Sequence, residues 1–237
     1  LSSWRAALNG AEPVLPATLD RFAARFAPCG FRREAFLPVY GLAECTVGLA
    51  IPPMRRMPLV DRVQRGAFQD AGRAVPAAED DPDPLRFVAC GHPLPGHQIR
   101  IVDDAGREVP DRTVGHLEFR GPSATSGYLR NPEETKKLIR GDWLDSGDLA
   151  YIANGDIHIT SRAKDMIIRG GRNIYPYELE EAIGRLPGVR KGCVAVFGAN
   201  DPAAGTERLV VVAETREKDA TALAALRKQV NVLAVDL

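Results

Sequence analysis

Four residues, Tyr40, Glu44, Asp148 and Arg162, carry side chains suited to a phosphorylated and hydroxylated ligand. The ionised carboxylate of Asp148 only accepts hydrogen bonds, so it matches a pair of hydroxyls better than an amide or an alcohol would. Glu44 offers the hard oxygen that Mg²⁺ prefers, and Mg²⁺ commonly combines one or two carboxylates with phosphate and water. The planar donors of Arg162 suit a phosphate or a hydroxyl, and Tyr40 presents a flat ring on which a base can stack.

Each of these residues also has an ordinary structural explanation. An isolated tyrosine at the end of a strand is more often a packing residue. Glu44 would be stabilised at a helix start by the helix dipole without binding any metal. Arg162 would equally pair with a nearby acid at the surface. The residue types therefore indicate a chemistry, and the elements that carry them must be considered next.

The first 50 residues predict a strand, a helix and a second strand. A short apolar run ends at Gly10, Ala11 and Glu12, a helix follows, and Phe36 to Val39 leads into Tyr40 and Gly41. This order is typical of a parallel α/β sheet, in which ligands bind beyond the carboxyl ends of the strands. Glycine there allows close backbone approach, although an ordinary turn would also explain Gly10. A further helix is expected to begin at Glu44.

The middle of the chain predicts a β-rich subdomain after a proline-rich excursion over residues 52–84. Alternating apolar residues indicate a small antiparallel unit or distorted barrel, whose strands are 98–102, 116–120, 148–152 and 156–159. Asn131 is expected to cap a short helix that begins with Pro132. In the strand 156–159, His158 alternates with isoleucines and is expected to face solvent.

The last part of the chain predicts a separate, small and mobile α+β domain. We expect residues 1–164 to form the C-terminal part of a large domain and residues 165–237 to form a truncated small one. Lys164 and Asp165 are the expected hinge, because a charged pair between two strands can absorb a change in backbone angles. Gly170, Gly171 and Asn173 are expected to form a turn that tolerates positive φ.

Composition narrows the function further. The formal net charge is zero, with 31 basic and 31 acidic residues, so binding to nucleic acid or to an anionic membrane is disfavoured. The 4 cysteines are scattered, and the 4 histidines lack metal-binding spacing, so a zinc site has no support. Neither a membrane span nor a signal peptide is indicated, and we expect a reduced, cytoplasmic protein.

The chain resembles the adenylate-forming superfamily of acyl- and aryl-CoA synthetases, peptide-synthetase adenylation domains and luciferases. Four strings carry the resemblance in the family's order: LNGAEP (8–13), YGLAE (40–44), SGDLAYIANGDIHITSRAKDMI (146–167) and GGRNIYPYELE (170–180). The phrase VACGHPLPGHQIRIVD (88–103) and the long segment between Glu44 and Gly91 are most similar to fatty acyl-AMP ligases. There, an extra segment is associated with delivery to a carrier protein in place of coenzyme A.

The resemblance implies roles for individual residues. Gly10, Ala11, Glu12, Tyr40 and Gly41 would line the adenine pocket. Asp148 would bind both ribose hydroxyls, Arg162 would contact ribose or phosphate, and Glu44 would hold Mg²⁺ on ATP. Lys164 and Asp165 would be the pivot of the small domain. Glu44 and Arg162 are accordingly the catalytic candidates.

The implied activity is ATP-dependent activation of a fatty or other carboxylic acid as an acyl-adenylate. The acyl group would then pass to the phosphopantetheine of an acyl carrier protein. An acyl-CoA ligase is the nearest alternative, and a non-catalytic nucleotide-binding or interaction module is an alternative of another class. The sequence begins with Leu1, lacks the phosphate-binding loop and the C-terminal lysine of the family, and is expected to be an inactive fragment by itself.

Overall fold

The computed structural model describes residues 1–169, 172–201 and 206–235, which divide into two compact units, Leu1–Ala163 and Lys164–Leu237. The split lies one residue before the boundary expected from the sequence. The mixed α/β and α+β fold class expected from the sequence is confirmed by the elements described below. Over the described residues, no helix is both long and apolar enough to cross a membrane.

The first unit begins with a parallel strand pair. The elements up to residue 93 are β1 (Ala7–Asn9), α1 (Pro16–Phe26), β2 (Phe36–Pro38), β3 (Ala50–Ile51), β4 (Val60–Val63), α2 (Arg65–Ala71), β5 (Leu85–Val88) and β6 (His92–Pro93). Strands β1 and β2 pair in parallel and α1 connects them, as expected for an α/β unit. Buried aromatic and apolar side chains from all three elements form one core cluster, which includes Ala7, Leu19, Phe31 and Phe36.

An antiparallel sheet follows and forms the largest part of the first unit. Its strands, and the helix between them, are β7 (Gln98–Val102), β8 (Gly115–Arg120), α3 (Pro132–Leu138), β9 (Ile139–Arg140), β10 (Trp143–Ala153) and β11 (Asp156–Arg162). The strand order is β11-β10-β8-β7, and β9 pairs with β10. Asn131 caps α3 by accepting a hydrogen bond from the Glu134 N–H, which confirms the predicted cap. The core of this sheet also takes in Tyr40 and Cys45.

The second unit is a smaller α+β arrangement. Its elements are β12 (Ile167–Arg169), β13 (Arg172–Ile174), α4 (Pro176–Gly184), β14 (Val189–Asp201), β15 (Thr206–Thr215) and α5 (Ala220–Val235). The pairs β12–β13 and β14–β15 are antiparallel. Leu179 and Ile183 of α4 are fully buried in the core of this unit, beside Ile167 and Ile174.

Two expectations from the sequence were wrong. The predicted helix start at Glu44 is a short 3-10 turn, Ala43–Cys45, which ends at Thr46 with a positive φ of 52°. His158 does not face solvent, because only 4% of it is exposed. Its ring stacks on that of Tyr151 at 4.7 Å. Phe68 and Phe87 pack against the Tyr151 ring, so aromatic side chains cover the face that alternation assigned to water.

Candidate functional site

Asp148 lies in an interruption of the longest strand of the first unit. The pairing of β10 with β8 shifts register between Asp145 and Leu149, and Gly147 adopts a positive φ of 75°. Ser146 stabilises the irregular turn, since its Oγ accepts the Asp148 N–H at 3.1 Å. An interruption of this kind bends the strand and re-aims side chains. The SGD string therefore turns the Asp148 carboxylate out of the regular ladder.

The Asp148 carboxylate contacts two of the other predicted site residues. The Tyr40 hydroxyl donates a hydrogen bond to Oδ2 at 2.6 Å, across 108 positions of sequence. Arg162 is the cross-strand partner of Asp148, and its Nε lies 3.8 Å from Oδ1. The Asp148 side chain is 15% exposed and that of Arg162 is 65% exposed. A largely buried carboxylate with an exposed guanidinium beside it can accept hydrogen bonds from hydroxyls while the cation meets a phosphate.

Burial raises the pKa of Tyr40, and the adjacent Asp148 carboxylate raises it further. The phenol therefore remains a hydrogen-bond donor at neutral pH. Tyr40 as a whole is only 8% exposed, so a base could meet only a small part of its ring. Its clearest contact in the structure is with Asp148, which it orients.

Tyr40 also closes the loop that carries Glu44. Its N–H donates to the Ala50 carbonyl at 3.0 Å, and the Ala50 N–H donates back at 2.9 Å. The loop is tight, because a Cβ added to Gly41 would lie 1.5 Å from the Val47 carbonyl oxygen. Val47 itself has a positive φ of 77°, which is an outlier for a β-branched residue. Strain of this kind is maintained only where the surroundings over-determine the backbone.

Glu44 is half-buried on the 3-10 turn of this loop. Its carbonyl accepts the Thr125 N–H at 2.8 Å, and its Oε1 accepts the hydroxyl of Tyr128. In the described part of the chain, no group of three or more His, Cys, Asp or Glu side chains could hold a metal ion. A lone carboxylate fits Mg²⁺, which needs few protein ligands when phosphate and water complete its shell.

Gly10, Ala11 and Glu12 follow β1 and lie beside the residue that precedes Tyr40. The Val39 N–H donates to the Asn9 carbonyl at 2.8 Å, and a Cβ on Gly10 would meet the Val39 oxygen at 2.7 Å. Ala11 has a positive φ of 67°, and both Ala11 and Glu12 are exposed. Internal packing therefore suffices to explain the glycine, and the contribution of this segment to a ligand pocket stays a prediction.

The hinge candidates occupy the junction of the two units. Lys164 and Asp165 are exposed, and they lie in the turn between the end of β11 at Arg162 and the start of β12. Gly170 and Gly171, from the predicted turn, lie outside the described residues, whereas Asn173 belongs to β13. Whether the pivot operates as expected stays a prediction.

The structure thus brings together Tyr40, Asp148 and Arg162, and it places Glu44 on a loop that Tyr40 closes. Sequence reasoning missed two contributors. Ser146 could have been found, because the hydroxyl of a serine in a Ser-Gly-Asp string often bonds to the backbone two residues later and forms a local turn. Tyr128 gives no local signal, since it lies 84 positions from Glu44.

Comparison with known proteins places this geometry in context. The family model described as "AMP-binding enzyme" matches residues 1–129. A Caulobacter vibrioides protein with the name "Putative acyl-CoA synthetase" is 40% identical over 240 residues, covering 98% of this chain and 41% of the relative. The medium-chain-fatty-acid–[acyl-carrier-protein] ligase JamA of Moorena producens is 36% identical, covering 90% of this chain and 38% of the relative.

The fold has solved counterparts as well. A structure described among the fatty acyl-adenylate ligases of E. coli and L. pneumophila matches with a TM-score of 0.88 and 33% identity. The match covers 97% of this chain and 40% of the solved one. The chain therefore spans about two fifths of the length of the relatives it matches.

Proposed function

The chain belongs to the family of AMP-binding enzymes, and from this membership we propose that it is part of an ATP-dependent fatty acyl-AMP ligase. The proposed reaction is the attack of a carboxylate oxygen on the α-phosphorus of ATP, which yields acyl-AMP and pyrophosphate. The observation that supports it most directly is the Asp148 carboxylate, which Tyr40 holds and Arg162 faces. These three side chains match the hydroxyls and phosphate of a nucleotide.

Each residue has a defined part in the proposal. Asp148 accepts hydrogen bonds from both ribose hydroxyls, and its partner Tyr40 fixes its orientation and offers the exposed part of its ring to adenine. Arg162, whose side chain is 65% exposed, reaches ribose or phosphate. Glu44 would hold Mg²⁺, which supplies positive charge to the ATP phosphates. Stabilising the charge that develops on the phosphate oxygens is the main requirement of such a transfer.

Two further parts of the proposal concern what happens after adenylation. We assign the pivot between the two half-reactions to Lys164 and Asp165, at the junction of the units. The excursion over residues 52–84, within the long segment between Glu44 and Gly91, is attached to the antiparallel sheet by ion pairs such as Arg56 with Asp156, at 2.6 Å. We propose that this segment belongs to an enzyme that delivers the acyl group to an acyl carrier protein, as JamA is named for.

An acyl-CoA ligase is the second candidate, and the name of the Caulobacter vibrioides relative favours it. Supplying coenzyme A and an acyl carrier protein separately to a longer polypeptide that contains this chain distinguishes the two. Rapid thioester formation with free coenzyme A would overturn the choice of a carrier protein. All 4 cysteines are free in the structure, which supports a location in the cytoplasm for either enzyme.

The test of nucleotide binding is a titration calorimetry measurement of AMP affinity on the 237-residue chain. Asp148→Ala should weaken AMP binding about tenfold or more, because hydrogen bonds to a charged group contribute about 1.5–3 kcal/mol. The matched control is Asp104→Ala, whose side chain is 100% exposed and should leave the affinity unchanged. Equal affinities for the native chain and Asp148→Ala would remove the basis of the proposal.

Retained AMP binding without turnover would point in another direction. A longer polypeptide that contains this chain, binds AMP through Asp148 and yet forms no acyl-AMP would be a nucleotide-binding module. The release of pyrophosphate from ATP in the presence of a medium-chain fatty acid separates that outcome from the ligase.

A further inference from the structure

The loop of residues 121–128, between β8 and α3, is hydrogen-bonded to the turn that carries Glu44. Thr125 donates its N–H to the Glu44 carbonyl at 2.8 Å. The hydroxyl of Ser123 donates to the Cys45 carbonyl at 3.2 Å, and that of Thr46 donates to the Ser123 carbonyl at 3.1 Å. Three bonds over three consecutive residues hold the backbone of the turn at a fixed position against this loop.

The same loop also contacts the side chain of Glu44. The hydroxyl of Tyr128 donates a hydrogen bond to Oε1 of the carboxylate. Tyr128 therefore engages one oxygen of the Glu44 carboxylate, and among the described residues no hydrogen-bond donor contacts the other oxygen.

Tyr128 is itself held by a regular element. Its N–H donates to the Thr135 Oγ1 of α3 at 2.9 Å. Gly127 is packed against the same residue, because a Cβ there would lie 2.5 Å from the Thr135 methyl carbon. Asn131 caps the helix. The tyrosine ring is therefore directed at Glu44 from a capped helix start, although 41% of the residue is exposed.

We propose that Tyr128 is a positioning residue for Glu44, which it holds in the orientation that binds Mg²⁺ on the ATP phosphates. The inference rests on the proposed function, and it assigns to Tyr128 a role through Glu44 with no contact to the reacting atoms. A carboxylate whose rotamer is fixed by a neighbouring hydrogen bond binds a metal more tightly than a free one. Losing such an outer partner typically lowers metal affinity about 10–100-fold.

The test separates metal-dependent from metal-independent binding. The affinity of the chain for ATP is measured with and without Mg²⁺, and the ratio of the two is the readout. Tyr128→Phe should reduce this ratio about tenfold and leave AMP affinity without Mg²⁺ unchanged. In Glu44→Gln, ATP should bind equally well with and without Mg²⁺. Tyr177→Phe, a half-buried tyrosine on α4 of the second unit, is the matched control and should change neither quantity.

The outcomes are distinguishable. If the native chain fails to bind AMP, the proposed function fails and the inference fails with it. If AMP binds and the Mg²⁺ ratio of Tyr128→Phe equals that of the native chain, the inference alone is wrong. If Tyr128→Phe lowers the affinity for AMP without Mg²⁺ as much as it lowers the Mg²⁺ ratio, the substitution has disturbed the structure generally. That outcome also refutes a positioning role.

Discussion

Replacing Asp61 with alanine is expected to destabilise the first unit more than any other single acid-to-alanine change in the excursion over residues 52–84. Asp61 lies on β4 with its side chain 15% exposed. Its carboxylate accepts hydrogen bonds from Arg112 Nη1 at 3.0 Å and from the Tyr151 hydroxyl at 2.8 Å. The acid thus connects the excursion to the antiparallel sheet, since Tyr151 is a fully buried residue of β10.

The magnitude follows from what the substitution leaves behind. Depriving the Tyr151 hydroxyl of this acceptor costs about 1–3 kcal/mol. Removing one partner of a fully buried ion pair costs about 3–5 kcal/mol. That value must be reduced here, because the Arg112 side chain is 26% exposed and still donates to the Ala74 carbonyl at 2.9 Å. We therefore expect a loss of about 3 kcal/mol in the free energy of unfolding.

Urea unfolding followed by tryptophan fluorescence measures this loss, because both tryptophans, Trp4 and Trp143, belong to the first unit. The matched control is Asp83→Ala, in the same excursion. Asp83 forms a bidentate ion pair with Arg65, but its side chain is 71% exposed. It should cost less than about 1 kcal/mol. If Asp61→Ala costs no more than Asp83→Ala, the buried pair does not anchor the excursion and the reasoning is refuted.

Two further predictions concern the Glu44 loop and β11. Gly41→Ala should destabilise the chain by roughly 2 kcal/mol or more and abolish the Mg²⁺-dependent gain in ATP affinity, because its Cβ would lie 1.5 Å from the Val47 oxygen. The control is Gly66→Ala on α2, where a Cβ meets open space and the change should be neutral or stabilising. If Gly41→Ala left the stability unchanged, the loop would not be as tight as described. Burial lowers the pKa of His158 in the folded chain, so the unfolded chain binds more protons below about pH 6.5 and stability should decrease as pH falls through that region. For His158→Gln, the urea midpoint measured between about pH 8 and 5 should fall less steeply with pH than it does for the native chain. An equal pH dependence in both would show that His158 does not cause the loss of stability.

The sequence predicted those features whose signal is local. The strands of the antiparallel sheet alternate apolar and polar residues over their own length, and β7 was predicted with its observed bounds. Asn131 followed by Pro132 was enough to place the start of α3. Asp148 was found because the SGD string resembles the ribose-binding acid of the adenylate-forming superfamily, whereas the register shift that turns it outward depends on pairing with β8 and was not predicted.

The features that sequence reasoning missed depend on distant contacts. The turn at Glu44 is not a helix, because Tyr40 pairs with Ala50 and forces the intervening residues into a closed loop. His158 is buried because its ring stacks on that of its cross-strand partner Tyr151. Phe68 and Phe87, which precede the sheet in sequence, pack against Tyr151 on a face that alternation treats as open. The hydrogen bond of Tyr128 to Glu44 joins two segments that lie 84 positions apart, and no local pattern in either segment predicts the contact.

The split between Ala163 and Lys164 comes directly after the strand that supplies Arg162. Tyr40, Glu44, Asp148 and Arg162 consequently all belong to the first unit. A chimaera that joins residues 1–163 to the corresponding C-terminal portion of a relative would keep every side chain assigned to adenosine. Exchange at this junction would therefore allow evolution, or a protein engineer, to replace the second unit without altering the side chains proposed for nucleotide recognition.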